Sequence, residues 1–128
     1  MHRLEMRVVR EFSFEAAHYL PGYDGKCKNT HGHSYRLQVG VTGRIDRQGM
    51  VIDFKELDEF VDQKIIEHLD HTVLNDVNLG DFPRHMPTAE NMVVFVRDVL
   101  TTCLQTLNLT VTLVRLWETQ NSWAEWEA

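Results

Sequence analysis

Residues 31–42, with the sequence HGHSYRLQVGVT, decide the fold because apolar and polar side chains alternate along the whole stretch. The apolar side chains that share one face are Tyr35, Leu37, Val39 and Val41. Alternation with a period of two is the pattern of a β-strand that buries one side. The sequence therefore predicts a strand from residue 31 to residue 42, with its apolar face turned toward a core.

A second strand is predicted just upstream, over residues 7–17, where the same alternation recurs. A segment rich in turn-forming residues follows at 20–25, between this strand and the strand at 31–42. The glycines between 43 and 49 predict a further hairpin that returns through residues 50–52. We expect the first half of the chain to be antiparallel sheet.

Two helices are predicted next. Asp53 stands where an N-cap belongs, and apolar residues recur at helical spacing from there to Leu69. A second helix begins after Thr88 and carries a broad apolar face that must pack against the sheet. The β-branched run 109–117 and the residues 123–126 then predict a closing hairpin.

The element order is thus ββααββ, which predicts one α+β domain spanning residues 1–128. We expect a four-stranded antiparallel sheet with both helices on one face. A chain of 128 residues has the size of a single domain.

The composition and charge of the chain indicate which classes of partner it binds. The 13 Lys and Arg residues are scattered among 19 Asp and Glu residues, and the net charge of -6 disfavours nucleic-acid binding. The first ten residues lack the apolar core of a signal peptide, and no run approaches the roughly 18 apolar residues of a membrane span. We expect a cytoplasmic protein with a small-molecule or protein partner, and no nucleic-acid or membrane partner.

Three histidines form a candidate metal site. His31 and His33 are two residues apart on a strand, so their imidazoles point to the same face. His18 ends the preceding strand, and antiparallel pairing would place it beside that pair. Three histidine ligands with an open fourth position are typical of catalytic zinc. Cys27 admits two interpretations, a fourth ligand that closes a structural zinc site or a free thiol that acts as a base, and its spacing does not separate them.

Five ordered segments of the chain resemble the 6-pyruvoyltetrahydropterin synthase family. They are FSFEAAH at 12–18, CKNTHGH at 27–33, LDH at 69–71, PTAEN at 87–91 and LWET at 116–119. The resemblance implies that family's T-fold, in which several subunits form a barrel. It also implies a homo-oligomer, expected to be a hexamer, with active sites at subunit interfaces.

The resemblance implies a role for several residues. His18, His31 and His33 would bind Zn²⁺, and Cys27 would accept a proton during catalysis.

Other residues have both an implied role and a local one. Asp70 and His71 would form a proton-relay pair, although a cationic His71 would also suit a helix C-terminus. Glu118 would be a catalytic residue that anchors the pterin, because a carboxylate can accept two adjacent N–H groups. Thr88 and Glu90 would line the pterin pocket, although both also fit the start of a helix.

Three residues separate Cys27 from His31, a spacing that resembles the bacterial, carboxy-forming members of the family. The resemblance implies a lyase that converts 7,8-dihydroneopterin triphosphate to 6-carboxy-5,6,7,8-tetrahydropterin, releasing acetaldehyde and triphosphate, in 7-deazaguanine and queuosine biosynthesis. A pyruvoyl-forming enzyme and a non-catalytic structural zinc module remain as alternatives. Lys26, Lys28 and Arg36 are candidates for the triphosphate by charge alone.

Overall fold

The first two strands form one long hairpin. In the computed structural model, which describes residues 4–80, 82 and 86–128 apart from the side chain of Cys27, β1 is Glu5–His18 and β2 is His31–Arg44. They pair antiparallel over their whole length, from Glu5 opposite Arg44 to His18 opposite His31. A short 3-10 turn, Lys26–Lys28, lies in the connection between them. The predicted antiparallel pairing of the first two strands is confirmed.

The predicted return strand at residues 50–52 is wrong. These residues form an irregular connection, in which the Asp46 carboxylate accepts from the backbone N–H groups of Gln48 and Met50. Ile52 is buried and Val51 packs against the core. Their apolar character therefore reflects burial at the entry to a helix, which a short apolar run cannot distinguish from a strand.

Both predicted helices are present. The first is α1 (Phe54–Val61), which continues through a π-helical turn (Asp62–Ile66) into α2 (Glu67–Leu69). Asp53 caps it, since its carboxylate accepts from the N–H of Lys55. The second is α3 (Ala89–Leu104), followed by a 3-10 turn (Gln105–Leu107). Within the described residues, neither these helices nor any other is long and apolar enough to span a bilayer.

The sheet contains one strand more than predicted. The short strand β3 (Thr72–Val73) pairs parallel with Ala16 and Ala17 at the edge of β1. The closing hairpin is confirmed as β4 (Thr110–Thr119) and β5 (Ser122–Glu127). The result is an open, mixed five-stranded sheet in the order β3-β1-β2-β4-β5.

The helices cover one face of the sheet, as predicted. On the β1 side Arg10 binds Asp58 of α1, and on the β5 side Arg97 of α3 lies over the ring of Trp126. The core between these layers is fully buried and includes Leu37, Val39, Leu57, Ile65, Met92, Leu100 and Leu116. We call the other side the open face. It carries polar and charged side chains such as Glu11 and Arg36, which explains the polar half of the alternation.

Candidate metal centre and active site

The structure brings the three predicted histidines together. His18 is the last residue of β1 and pairs with His31, the first residue of β2, while His33 lies opposite Ala16. Strand alternation then turns all three rings toward the helix-covered face. Their ring centroids are 4.6 Å (His18 to His31), 5.0 Å (His18 to His33) and 4.9 Å (His31 to His33) apart.

Backbone carbonyls orient two of these rings. His18 Nδ1 lies 2.8 Å from the carbonyl oxygen of Pro87, and His31 Nδ1 lies 2.7 Å from that of Asn29. Because a carbonyl oxygen only accepts, each Nδ1 must carry the proton. Each Nε2 then has a lone pair to offer, which is the arrangement that metal-binding histidines show in proteins. These two carbonyls were missed by the sequence analysis, since any residue type can supply one.

The third histidine has an unsatisfied nitrogen. His33 Nε2 is buried and makes no hydrogen bond. It lies 3.4 Å from Glu118 Oε1, but this contact lacks hydrogen-bond geometry. A buried polar atom without a partner destabilises a fold, so such an atom indicates a ligand site.

Glu118 completes the cluster from the neighbouring strand. Its Oε1 lies 3.0 Å from His18 Nε2, and one potential ligand atom from each of the four residues lies within 4.8 Å of the others. With Nδ1 protonated, a neutral His18 would turn its Nε2 lone pair toward a carboxylate oxygen. A positive charge must therefore lie between them, either a proton or a metal ion. Three imidazoles and one carboxylate fit a divalent metal, and they are ligands that zinc accepts.

The pKa values in the cluster follow from burial and charge. Burial lowers the pKa of His18, but the hydrogen bonds to Glu118 and to the Pro87 carbonyl outweigh it and leave that pKa raised. Burial also lowers the pKa of His33, and the neighbouring histidines add to this effect. The hydrogen bond from His18 holds the pKa of Glu118 below its ordinary value. Glu118 is thus ionised and His33 neutral, the forms in which both groups bind metals.

The predicted pair Asp70 and His71 lies at the edge of β1. Asp70 Oδ1 is 3.0 Å from His71 Nδ1 and also accepts from the backbone N–H of Glu15 at 2.9 Å. The Glu15 N–H bond, followed by the His71 contact, lowers the pKa of Asp70. The Glu15 carbonyl in turn accepts from the N–H of His71. The backbone of β1 therefore holds both members of the pair.

His71 has a left-handed backbone, with φ of 60°. Such a conformation costs free energy in residues other than glycine, and residues held in it cluster at functional sites. The side chain of His71 is 78% exposed, so its ring is open to a ligand.

A cleft lies beside this pair, at the ends of β1 and β2. It has a volume of about 400 Å³ and is lined by Glu15, Ala16, Ala17, Gly32, His33, Ser34, His71 and Thr72. Of the four residues of the metal cluster, only His33 is among the lining residues, and Glu15 and Ser34 belong to the open face. A second groove of about 300 Å³ runs along α3 near Phe82 and Phe95, and none of the predicted site residues lines it.

The other candidates lie in the 3-10 turn before β2 and on the open face. Cys27 belongs to the 3-10 turn before β2, and its side chain lies outside the described residues. Lys26 and Lys28 flank it and are exposed. Arg36 is on the open face, where it pairs with Glu11 and lies 3.7 Å from the ring centroid of Trp117.

Thr88 and Glu90 adopt the local roles that the sequence also allowed. Thr88 is the N-cap of α3, and its hydroxyl accepts from the N–H of Asn91 at 3.1 Å. Glu90 is exposed in the first turn of that helix, where a negative charge favours the helix dipole. Neither residue belongs to the four-residue cluster.

Comparison with known proteins places the chain in a family. The model of the 6-pyruvoyl tetrahydropterin synthase family matches residues 7–128. The chain belongs to this family. It is 36% identical to the 6-carboxy-5,6,7,8-tetrahydropterin synthase of Haemophilus influenzae, over 94% of the chain and 98% of that relative. It is 43% identical to the enzyme of the same name from Synechocystis, over 70% of each sequence.

Solved structures of the family share the fold. The chain superposes on the 6-pyruvoyl tetrahydropterin synthase of Caenorhabditis elegans with a TM-score of 0.85 and 25% identity, over 100% of this chain and 99% of that one. The predicted family and its T-fold are therefore confirmed, as is the prediction that the chain is an enzyme of this family.

Proposed function

We propose that this family member is a zinc-dependent lyase that converts 7,8-dihydroneopterin triphosphate to 6-carboxy-5,6,7,8-tetrahydropterin, with release of acetaldehyde and triphosphate. The observation that carries the proposal is the convergence of His18, His31 and His33, with the buried Nε2 of His33 lacking a partner. The choice of product is supported by the names of the Haemophilus and Synechocystis relatives.

The three histidines would hold the zinc. The hydrogen bonds from His18 to Pro87 and from His31 to Asn29 keep each Nδ1 protonated and each Nε2 available. A bound zinc ion supplies Lewis acidity that makes neighbouring substrate hydroxyls more acidic.

Glu118 is proposed to anchor the pterin. The pyrimidine edge of a pterin presents adjacent N–H donors, and an ionised carboxylate can accept two of them at once. The lowered pKa of Glu118 keeps it ionised for this purpose. Its Oε1 lies beside His18 Nε2. With zinc bound at that nitrogen, His18 would have no proton to donate there, and both Glu118 oxygens would be available to the pterin.

Asp70, His71 and Cys27 are proposed to move protons. Because the Asp70 carboxylate accepts at His71 Nδ1, the Nε2 of His71 is left to take up a proton. The side chain of His71 is 78% exposed, so this nitrogen would be accessible to a substrate. Cys27 is proposed as the proton acceptor from the family resemblance, because a thiol near a cation has a lowered pKa.

Two alternatives have an observation of their own. Formation of a pyruvoyl product, with loss of triphosphate only, is favoured by the similarity to the Caenorhabditis elegans enzyme. A closed structural zinc site is favoured by the position of the Glu118 carboxylate, which offers a fourth ligand atom.

We also propose the cellular setting implied by the resemblance. The enzyme would act in the cytoplasm in 7-deazaguanine and queuosine biosynthesis, as a hexamer with sites at its subunit interfaces. The open five-stranded sheet supports assembly, since β3 and β5 lie at its edges and other strands can pair there.

The zinc-loaded protein should be incubated with 7,8-dihydroneopterin triphosphate, and acetaldehyde and the mass of the pterin product measured. Acetaldehyde together with a carboxypterin is the expected result. A pyruvoyl product without acetaldehyde would transfer the assignment to the first alternative. Absence of turnover by a folded, zinc-containing protein would favour the structural site. The variant His33→Ala is the control, since it should lose both zinc and turnover.

A further inference from the structure

The His18 ring is contacted at both nitrogens, by Glu118 at Nε2 and by the Pro87 carbonyl at Nδ1. Its backbone neighbour Tyr19 is held by Asn75, whose side-chain amide accepts from the Tyr19 N–H at 3.0 Å and donates to its carbonyl at 2.9 Å. These bonds hold the backbone beside His18 but do not determine the rotation of its imidazole ring. The Pro87 carbonyl contacts its Nδ1 at 2.8 Å, whereas the Tyr35 hydroxyl lies at 3.4 Å from that atom. The Pro87 carbonyl is therefore the main contact at Nδ1, and it determines that this nitrogen carries the proton.

That carbonyl is held from both sides by one residue. The side-chain Nδ2 of Asn91 donates to the carbonyl of Met86 at 2.7 Å, which fixes the peptide before Pro87. The backbone N–H of Asn91 donates to the Thr88 hydroxyl at 3.1 Å, which fixes the residue after it. The proline ring restricts its own φ to about -65°. Asn91 thus removes most of the remaining freedom of the segment that faces His18.

The chemistry of this position requires a donor. Asn91 is the third residue of α3, the position where a capping box carries Glu or Gln, whose side chain accepts from the backbone N–H of the N-cap residue. Here the side chain donates to a carbonyl instead. An aspartate would keep the size of the residue and suit the helix dipole, but it would turn an acceptor toward the Met86 oxygen.

We propose that Asn91 is a positioning residue for His18, which acts through the segment 86–88 to hold the ring in the rotation and tautomer that present Nε2 to the metal. The inference rests on the proposed metal site. Asn91 lies in the PTAEN segment at 87–91, and its side chain does not belong to the metal cluster.

The test uses Asn91→Asp and Asn91→Ala in the full chain, with Asp53→Ala as the matched control. Asp53→Ala removes a helix-capping hydrogen bond from α1, so it tests whether loss of a cap alone affects the metal. Zinc affinity is measured by competition with a chelator. The absorption spectrum of the Co²⁺-loaded protein reports the coordination geometry, and urea unfolding of the metal-free protein reports stability.

Both Asn91 variants should bind zinc about tenfold more weakly, the lower end of what outer-shell partners contribute to metal affinity. Their Co²⁺ spectra should change, while the control keeps both the affinity and the spectrum. Asn91→Asp should remain folded because its charge favours the start of α3.

Unchanged affinity and spectrum in Asn91→Asp would overturn the inference. An equal loss of affinity in Asp53→Ala would also overturn it, because the effect would then follow helix stability. If the unaltered protein binds neither zinc nor cobalt, the proposed metal site itself fails. That result differs from one in which the unaltered protein binds zinc and the Asn91 variants bind it equally well, which would contradict only the role of Asn91.

Discussion

Replacing Glu118 by glutamine preserves the size of the side chain and removes its negative charge. In the structure this carboxylate is 3.0 Å from His18 Nε2 and 3.4 Å from His33 Nε2, with 29% of the side chain exposed. The substitution therefore separates two roles. A pterin anchor needs two acceptor oxygens, whereas zinc held by three histidines does not need this carboxylate.

The size of the effect follows from the hydrogen bonds lost. Two charge-assisted bonds to the pterin contribute about 1.5 to 3 kcal/mol each, and the one neutral bond that glutamine keeps contributes about 1 kcal/mol. The net loss is about 2 to 5 kcal/mol. Since each 1.4 kcal/mol is about a factor of ten, kcat/KM should fall by roughly 30-fold to 4,000-fold.

The assay follows acetaldehyde release against substrate concentration, with zinc content and zinc affinity measured on the same samples. Zinc affinity should fall by less than about 100-fold, as for a residue outside the ligand set. Glu5→Gln is the matched control. Glu5 begins β1 at the end opposite His18, roughly 40 Å away at the usual rise per strand residue. The Glu5→Gln substitution should leave both kcat/KM and zinc affinity unchanged.

Loss of zinc in parallel with activity would refute the reasoning. Glu118 would then be a fourth ligand in a closed site, and the pterin-anchor role would be wrong. An unchanged kcat/KM would also refute it, because no charged acceptor would then be in contact with the substrate.

Three further predictions concern other parts of the molecule. Cys27→Ala should keep its zinc and lose turnover, as shown by metal analysis and acetaldehyde release on one sample; loss of zinc with unfolding would favour the structural site. Asp70→Asn removes the negative charge that faces His71 Nδ1 and that would stabilise a protonated His71, so kcat should fall roughly 100-fold or more with unchanged zinc content; an unaltered kcat would contradict the relay. Arg10 holds the pKa of Asp58 below its ordinary 3.8. The ion pair therefore stabilises the folded protein fully above about pH 3.8, and this stabilisation is lost as the pH falls through the lowered pKa of Asp58. Urea midpoints of the unaltered protein and Asp58→Asn should therefore differ at about pH 7 and converge near pH 2, and a constant difference would be evidence against the ion pair.

Much of the site was predictable from strand alternation. A period of two places His31 and His33 on one face, and antiparallel pairing brings in His18 from the preceding strand. The helices were predictable for a similar reason, since Asp53 and Thr88 are good caps before long apolar repeats. These features depend on neighbours along the chain or across one hairpin.

The strand assignments failed where segments were short. The two residues of β3 carry no period, and they pair with β1 only because α2 ends beside its edge. In the apolar run 50–52, Ile52 is buried and Met50 is exposed, and no residue of the run lies in a strand, because a short apolar run does not specify backbone conformation.

The sequence by itself determined which elements form and which faces they bury, because these depend on side-chain periodicity and caps within each element. Only the tertiary structure decided how separate elements meet. It placed the Pro87 carbonyl on His18 and the Glu118 carboxylate among the histidines. The physical reason is that periodicity specifies direction within one element, whereas distances between elements are set by packing of the whole core.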